Sequence, residues 1–266
     1  MSDTAAAMPA GTTLPLTPPR VSPWIGYTTL LRWQLVAIGG TMLPFVIVVQ
    51  ALLAAGIIVG FGFLIPDIDP ATALHLSTGA PTILLLTIGL VIVPQGVATA
   101  RANGTFAYLR SLPVARPLVL LADLTVWALI ALPSIAVAVL VAKLRFDLTF
   151  AFDWPLLLAT SLLVIVTASA VGYMIAVSLP TLLAQLVSQV LVFFVMLFSP
   201  ISFTVAQLPG WFQTVHDWLP VRPAADLLRA GLASGTYSAS GRDLAVLAAW
   251  CVVGLAVSIR ALVRRS

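Results

Sequence analysis

Residues 117–142 read PLVLLADLTVWALIALPSIAVAVLVA, twenty-six residues with a single charge, Asp123, close to the start. As a helix this stretch would be about 39 Å long, more than the roughly 30 Å of a bilayer's hydrocarbon core. Five more stretches of the same character flank it, at about 36–64, 81–98, 155–178, 181–205 and 244–263. The chain has 13 Lys and Arg and 9 acidic residues. Of these, only Asp123 lies clearly inside an apolar stretch, and Arg260 sits at the far end of the last one. A charge at the bilayer centre costs about 2.5–3.5 kcal/mol on insertion scales. A water-soluble domain has no reason to keep six such windows free of charge. The pattern predicts an all-α integral membrane protein with six transmembrane helices.

The totals exclude much else. With a mean hydropathy of +1.10 and 8% charged residues, six spans leave no room for a soluble catalytic domain. The net charge of +4 marks the cytoplasmic side of a membrane rather than a nucleic-acid partner. One cysteine, Cys251, excludes an intrachain disulfide and a Cys metal cluster. His75 and His216 fall in outer connections, outside any HExxH pattern, so no metal site is expected. There is no GxxxxGK[ST] phosphate loop, GFGF at 60–63 lacks the lysine, and GxSxG is absent. No catalytic residue and no cofactor bound by this chain are expected. Residues 1–22 are Pro-rich without an apolar core, which predicts a disordered cytoplasmic tail ahead of a single membrane domain at 23–266.

Charge sets the orientation. With the N-terminus inside, eight basic residues face the cytoplasm: Arg20, Arg32, Arg101, Arg110, Arg116, Arg260, Arg264 and Arg265. Five face outward: Lys143, Arg145, Arg222, Arg229 and Arg242. Basic residues accumulate on the cytoplasmic side, so both termini are expected there. Asp123 carries two readings. It is a charge at a helix N-terminus, favoured by the dipole, or a proton carrier. The second would make the chain an ion-coupled secondary transporter. A membrane-embedded enzyme or assembly factor is a third class, and the His, Asp or Glu cluster an enzyme needs is not visible.

The connections are informative. In PWIGYTTLLRWQL, 23–35, the residues Trp24, Tyr27, Leu31 and Leu35 share one helical face, with Thr28 and Arg32 on another. That predicts an amphipathic interface helix anchored by Trp24 and Trp33, or an early start to the first span. TARANGTFAYLRSLPVAR, 99–116, has an Asn103-Gly104 turn. Thr105 then caps a short helix that reaches Leu112 and stops at Pro113. Phe106 and Leu109 share a face, ringed by Arg101, Arg110 and Arg116. Between spans five and six, Pro209 and Pro223 each open a short helix. The first repeats Trp211, Phe212, Val215, Trp218 and Leu219, and the second Ala224, Leu227, Leu228 and Gly231. Both are too short to span, which predicts a pair of re-entrant outer helices. Inside the spans, Thr87 and Gln95 lie in span two, and Gln185, Ser188 and Gln189 on one face of span five. Such residues either glue helices together or line a substrate route.

The ordered set resembles the membrane subunits of type-two ABC transporters, the exporters of drugs, lipids and polysaccharides. NGTFAYLRSLPVAR at 103–116 is similar to that family's GT…L…PV…R segment after span two. LPGWFQTVHDWLPVRPAADLLRAGL at 208–232 is similar to its short outer helices. Segment 23–35 corresponds to its interface helix, so the likeness covers about residues 23–265. The family's usual acid before the GT, and often another after it, is missing; the neighbourhoods read TARAN and FAY. The resemblance implies a half-transporter that pairs with a second permease, identical or different, and carries two copies of a separate ATPase subunit. ATP and Mg²⁺ would be bound by those subunits. Arg101, Asn103, Gly104, Thr105, Phe106, Leu109 and Arg110 would form the ATPase-coupling helix, with Trp24, Tyr27, Leu31 and Arg32 beside it. Spans two and five would wall the path, placing Thr87, Gln95, Gln185, Gln189, Phe193, Phe194 and Met196 along it for an amphipathic drug, lipid or glycan. The expected location is the plasma membrane.

Overall fold

The computed structural model describes residues 22–64, 68–105, 108–109, 114–201, 203–205 and 208–264. The expected N-terminal tail, apart from its last residue, lies outside them. In chain order the helices are α1 (Pro23–Leu64), α2 (Pro70–Thr87), a π-helical turn (Ile88–Ile92), α3 (Val93–Ala102), α4 (Arg116–Phe146), α5 (Trp154–Ser178), α6 (Thr181–Phe198), α7 (Gly210–Trp218), α8 (Val221–Leu232) and α9 (Gly241–Arg264). No strand forms among the described residues; one isolated bridge joins Ala151 to Ala233. Six lengths are long and apolar enough to cross a membrane: Leu43–Gly60, Pro70–Ala102, Arg116–Phe146, Trp154–Ser178, Thr181–Phe198 and Gly241–Val263. This is an all-α integral membrane fold.

Segment 23–35 is not a separate helix. α1 runs unbroken for 42 residues, about 63 Å, twice the hydrocarbon thickness. Its first turns bury Gly26, Leu30 and Gln34, while Tyr27 and Leu31 are half-buried and Trp24 and Arg32 exposed. The inward face is therefore turned by one position from the expected Trp24–Tyr27–Leu31 stripe.

The second span starts earlier than its hydropathy indicates, and it takes in His75, which the sequence placed in a connection. The Asp69 carboxylate accepts from the amides of Ala71 and Thr72, both at 3.1 Å, and Pro70 stands at the first helical position. Such a start satisfies two orphan N–H groups and wastes none on the proline. Pro81 lies within the helix rather than at its start. The π turn follows because Pro94 has no N–H to give and would crowd the carbonyl four residues back. The ladder widens, and Val93 donates to Ile88 instead. At this level Gly89 and Gly172 let the π turn and α5 touch backbone to backbone; a Cβ on Gly172 would run into the Gly89 carbonyl.

α5 is the central post. It packs against α3, α4, α6, α8, α9 and the π turn, and its inner face buries Leu157, Val164, Ile165, Tyr173 and Ala176 within the main core. The windows of α1, α6 and α9 are far less buried and stand at the periphery. Two short helices do precede the last span. α8 buries Ala224, Leu227, Leu228 and Gly231 as expected. The aromatic face of α7 packs only in part: Trp211, Val215 and Trp218 are exposed, Phe212 is half-buried, and His216 is the residue that turns inward. The 147–153 connection is tied to the end of α8, where the Asp153 amide donates to Gly231 O at 2.9 Å and the Ser234 amide to Ala151 O at 3.0 Å.

Candidate functional site

At one end of the bundle, α3 ends at Ala102 with Asn103 as its cap. Gly104 takes a left-handed φ of +80°, a conformation that costs glycine little. The Asn103 side-chain oxygen accepts from the Thr105 amide at 3.3 Å. Thr105 is already helical, so Asn103 does the capping that Thr105 was expected to do. The Tyr108 amide donates to Gly104 O at 3.0 Å, closing one helical turn. Tyr108 is exposed and Leu109 half-buried. Phe106, Arg110 and the expected helix end at Leu112 lie outside the described residues.

The arginines flanking this turn point into the protein. Arg101 donates to the carbonyl oxygens of Ala176 and Leu179, the latter at 3.0 Å. Arg116 donates to those of Leu262 and Val263 at 2.9 and 3.1 Å. Each guanidinium satisfies C-terminal carbonyls that have no partner within their helix, at the negative end of its dipole. Arg101 thus fastens the turn to the end of α5, and Arg116 fastens it to the end of α9. The start of α1 lies alongside. Tyr27 Oη donates to Thr125 Oγ1 at 3.0 Å, and a Cβ on Gly26 would lie 3.5 Å from the Val114 side chain. The coupling and interface segments read from the sequence are therefore neighbours.

The expected path residues divide. α3 and the π turn pack against α6, so spans two and five are adjacent. Thr87 spends its hydroxyl on Ile83 O of its own helix, at 2.8 Å. Gln95, Gln189 and Phe193 are exposed, Gln185 and Met196 half-buried, and Ser188 buried. Phe194 belongs to the packing of the opposite end. It lies 5.3 Å from Phe198 and meets Phe212 edge-on at 6.3 Å. It also borders an apolar cavity of about 210 Å³ lined by Leu90, Val171 and Trp250 among others.

A buried polar knot near the same end was not anticipated. Arg229 is 1% exposed and bonds Asp226 Oδ1 at 2.9 Å, His75 Nε2 at 3.0 Å and the Ile201 carbonyl. A guanidinium only donates, so the Nε2 lone pair accepts from it. Nε2 also lies 3.3 Å from the Phe203 carbonyl oxygen, and Nδ1 lies 3.5 Å from the Tyr237 hydroxyl. Burial pulls the Arg229 pKa down, and Asp226 opposes that. From Asp226 an alternating run continues through Arg222 and Asp217 to Arg242. The knot holds α8 against α2 and the turn after α6. The sign available in the sequence was an arginine inside the apolar face of DLLRAGL. Among the described residues no group of His, Cys, Asp or Glu is placed to hold a metal.

No curated protein matches the chain. The family model for the ABC-2 type transporter matches residues 26–233, a range that takes in the bracketed turn, spans two to five and both short helices before the last span; the chain belongs to the ABC-2 type transporter family as a membrane-spanning permease component.

Proposed function

We propose that this chain is one permease half of an ATP-driven exporter in the plasma membrane, with both termini on the cytoplasmic side. It pairs with a second permease, and two separate ATP-hydrolysing subunits, one per permease chain, bind the cytoplasmic face at the segment 99–116. ATP and Mg²⁺ would be held by those subunits. The observation that carries the reading is the pair of arginine caps. Arg101 and Arg116 bracket the turn and hold the ends of α5 and α9, so a load on the turn reaches two spans without a slack linker. A connector between adjacent helices needs neither fastening.

The path reading is supported by Gln189 and Phe193, one turn apart on the exposed face of α6. Lipid gives an amide no hydrogen bonds, so this face suits a partner subunit or a hydrated route. A wall of amide and aromatic groups suits an amphipathic drug, lipid or glycan. The test is affinity purification of the chain from its native membranes in mild detergent, with partners identified and counted. One ATPase copy per permease chain supports the reading; absence of an ATPase across several detergents rejects it. In the same assay Phe106→Ala with Leu109→Ala is expected to release the ATPase while the permease still inserts. Transport that survives Asp123→Asn would separate this reading from ion coupling.

A further inference from the structure

We infer that the crevice between α4 and α5 is a binding site for a single acidic membrane phospholipid, with an acyl chain in the crevice and the phosphate at Lys143. The site is remote from the turn at 103–115 and does not depend on the ATPase reading. The crevice has a volume of about 600 Å³. Its α4 wall runs from Leu132 to Lys143, a rise of about 16 Å along the helix. That is close to half of a hydrocarbon core of roughly 30 Å, the depth of one leaflet. Leu132, Ile135, Leu157 and Leu158 supply apolar walls.

The mouth has the features of a headgroup zone. Phe152 and Trp154 stand there 5.0 Å apart, and Trp154 is exposed, as at the level where tryptophan gathers in membrane proteins. Lys143 lines the crevice. Among the described residues it has no ion-pair partner. Arg222, Arg229 and Arg242 are paired with aspartates, and Arg145 lies over the rings of Phe63 and Phe146. The carboxylates nearest in sequence do not line the crevice: Asp153 caps α5 through the Leu156 amide at 3.1 Å, and Asp147 forms the left-handed cap of α4. Deeper in the wall, the Ser161 hydroxyl is buried without a hydrogen-bond partner among the described residues. It lies about two turns, roughly 10 Å, below Trp154, inside the acyl-chain part of the crevice. An apolar trough one leaflet deep, with one unpaired ammonium at its mouth and one unmet donor below, selects a lipid of negative headgroup.

The test is native mass spectrometry of the purified full chain equilibrated with equal amounts of phosphatidylglycerol and phosphatidylcholine. The wild type is expected to retain one lipid, with phosphatidylglycerol favoured about fivefold, the increment of one lysine at a membrane surface. Lys143→Gln should bring the ratio near one. Ala136→Trp, at an exposed position on the wall, should abolish retention of either lipid. Excess glycerol 3-phosphate, which has the headgroup but no chains, should displace nothing. Equal retention of both lipids by the wild type overturns the inference. So does an unchanged preference in Lys143→Gln, a retained lipid in Ala136→Trp, or displacement by glycerol 3-phosphate. Lys143 is exposed, so its variant removes charge without disturbing the core.

Discussion

His216 and Arg229 show how much a single polar side chain can govern in an apolar protein. His216 is buried against Phe212, the rings edge-on at 4.6 Å, and neither ring nitrogen meets a partner among the described residues. Burial pulls its pKa below the ordinary 6.5, with the nearby Phe198 carbonyl offsetting part of that. The folded state then holds the imidazole neutral, while the unfolded chain takes up a proton once the pH drops through about 6.5. This contribution to stability is complete above that pH and is lost below it. Thermal unfolding in detergent is expected at a lower temperature at pH 5 than at pH 7.5, and His216→Phe should narrow the gap. Arg229→Ala would leave Asp226 and His75 without their shared partner. Removing one member of a buried ion pair costs about 3–5 kcal/mol; because Asp226 is partly exposed, a loss near the lower end of that range is expected, read as a fall in melting temperature.

At the scale of the element, the two glycines at the π turn and the two arginine caps make opposite demands. Gly172→Leu forces a side chain into the Gly89 backbone, an overpacking cost of roughly 3 kcal/mol, and should cut the yield of folded protein sharply. Arg101→Ala and Arg116→Ala each remove hydrogen bonds from a charged donor and should cost about 1.5 kcal/mol apiece. In the proposed assembly the double change should leave an inserted permease that no longer couples the partner's ATPase turnover to transport, measured as the ratio of the two in vesicles. The spans were legible because exclusion of charge from a membrane core leaves a mark in any single sequence. α8 was legible because Pro223 and the Ala224–Leu227–Leu228–Gly231 spacing agree. The start of α2 was hidden: Ser77 and Thr78 lower its hydropathy, yet they face protein rather than lipid and are buried. The inward turn of Arg101 was hidden as well, because the carbonyls it meets lie more than seventy residues along the chain.

Taken whole, the molecule is buried along α2, α4 and α5, with α1, α6 and α9 carrying broad apolar faces outward. In the proposed assembly one of these faces meets the second permease and the others meet lipid. The proposed orientation can be read from labelling. Cys251 is buried, so a Cys251→Ser chain gives a clean background. On it, Ser238→Cys, at an exposed position before α9, is expected to react with an impermeant maleimide added outside cells, and Asn103→Cys only after the membrane is opened. The arginine caps carry one more consequence. Arg101 and Arg116 each sit at the negative end of a helix, so part of their charge is neutralised from within. Among the described residues, a partner arriving at the turn meets a surface less cationic than the sequence counts, offering it Tyr108 and Leu109 instead. Its attachment should therefore be nearly indifferent to ionic strength, holding from 0.1 to about 1 M salt, over which the screening length falls from roughly 10 to 3 Å.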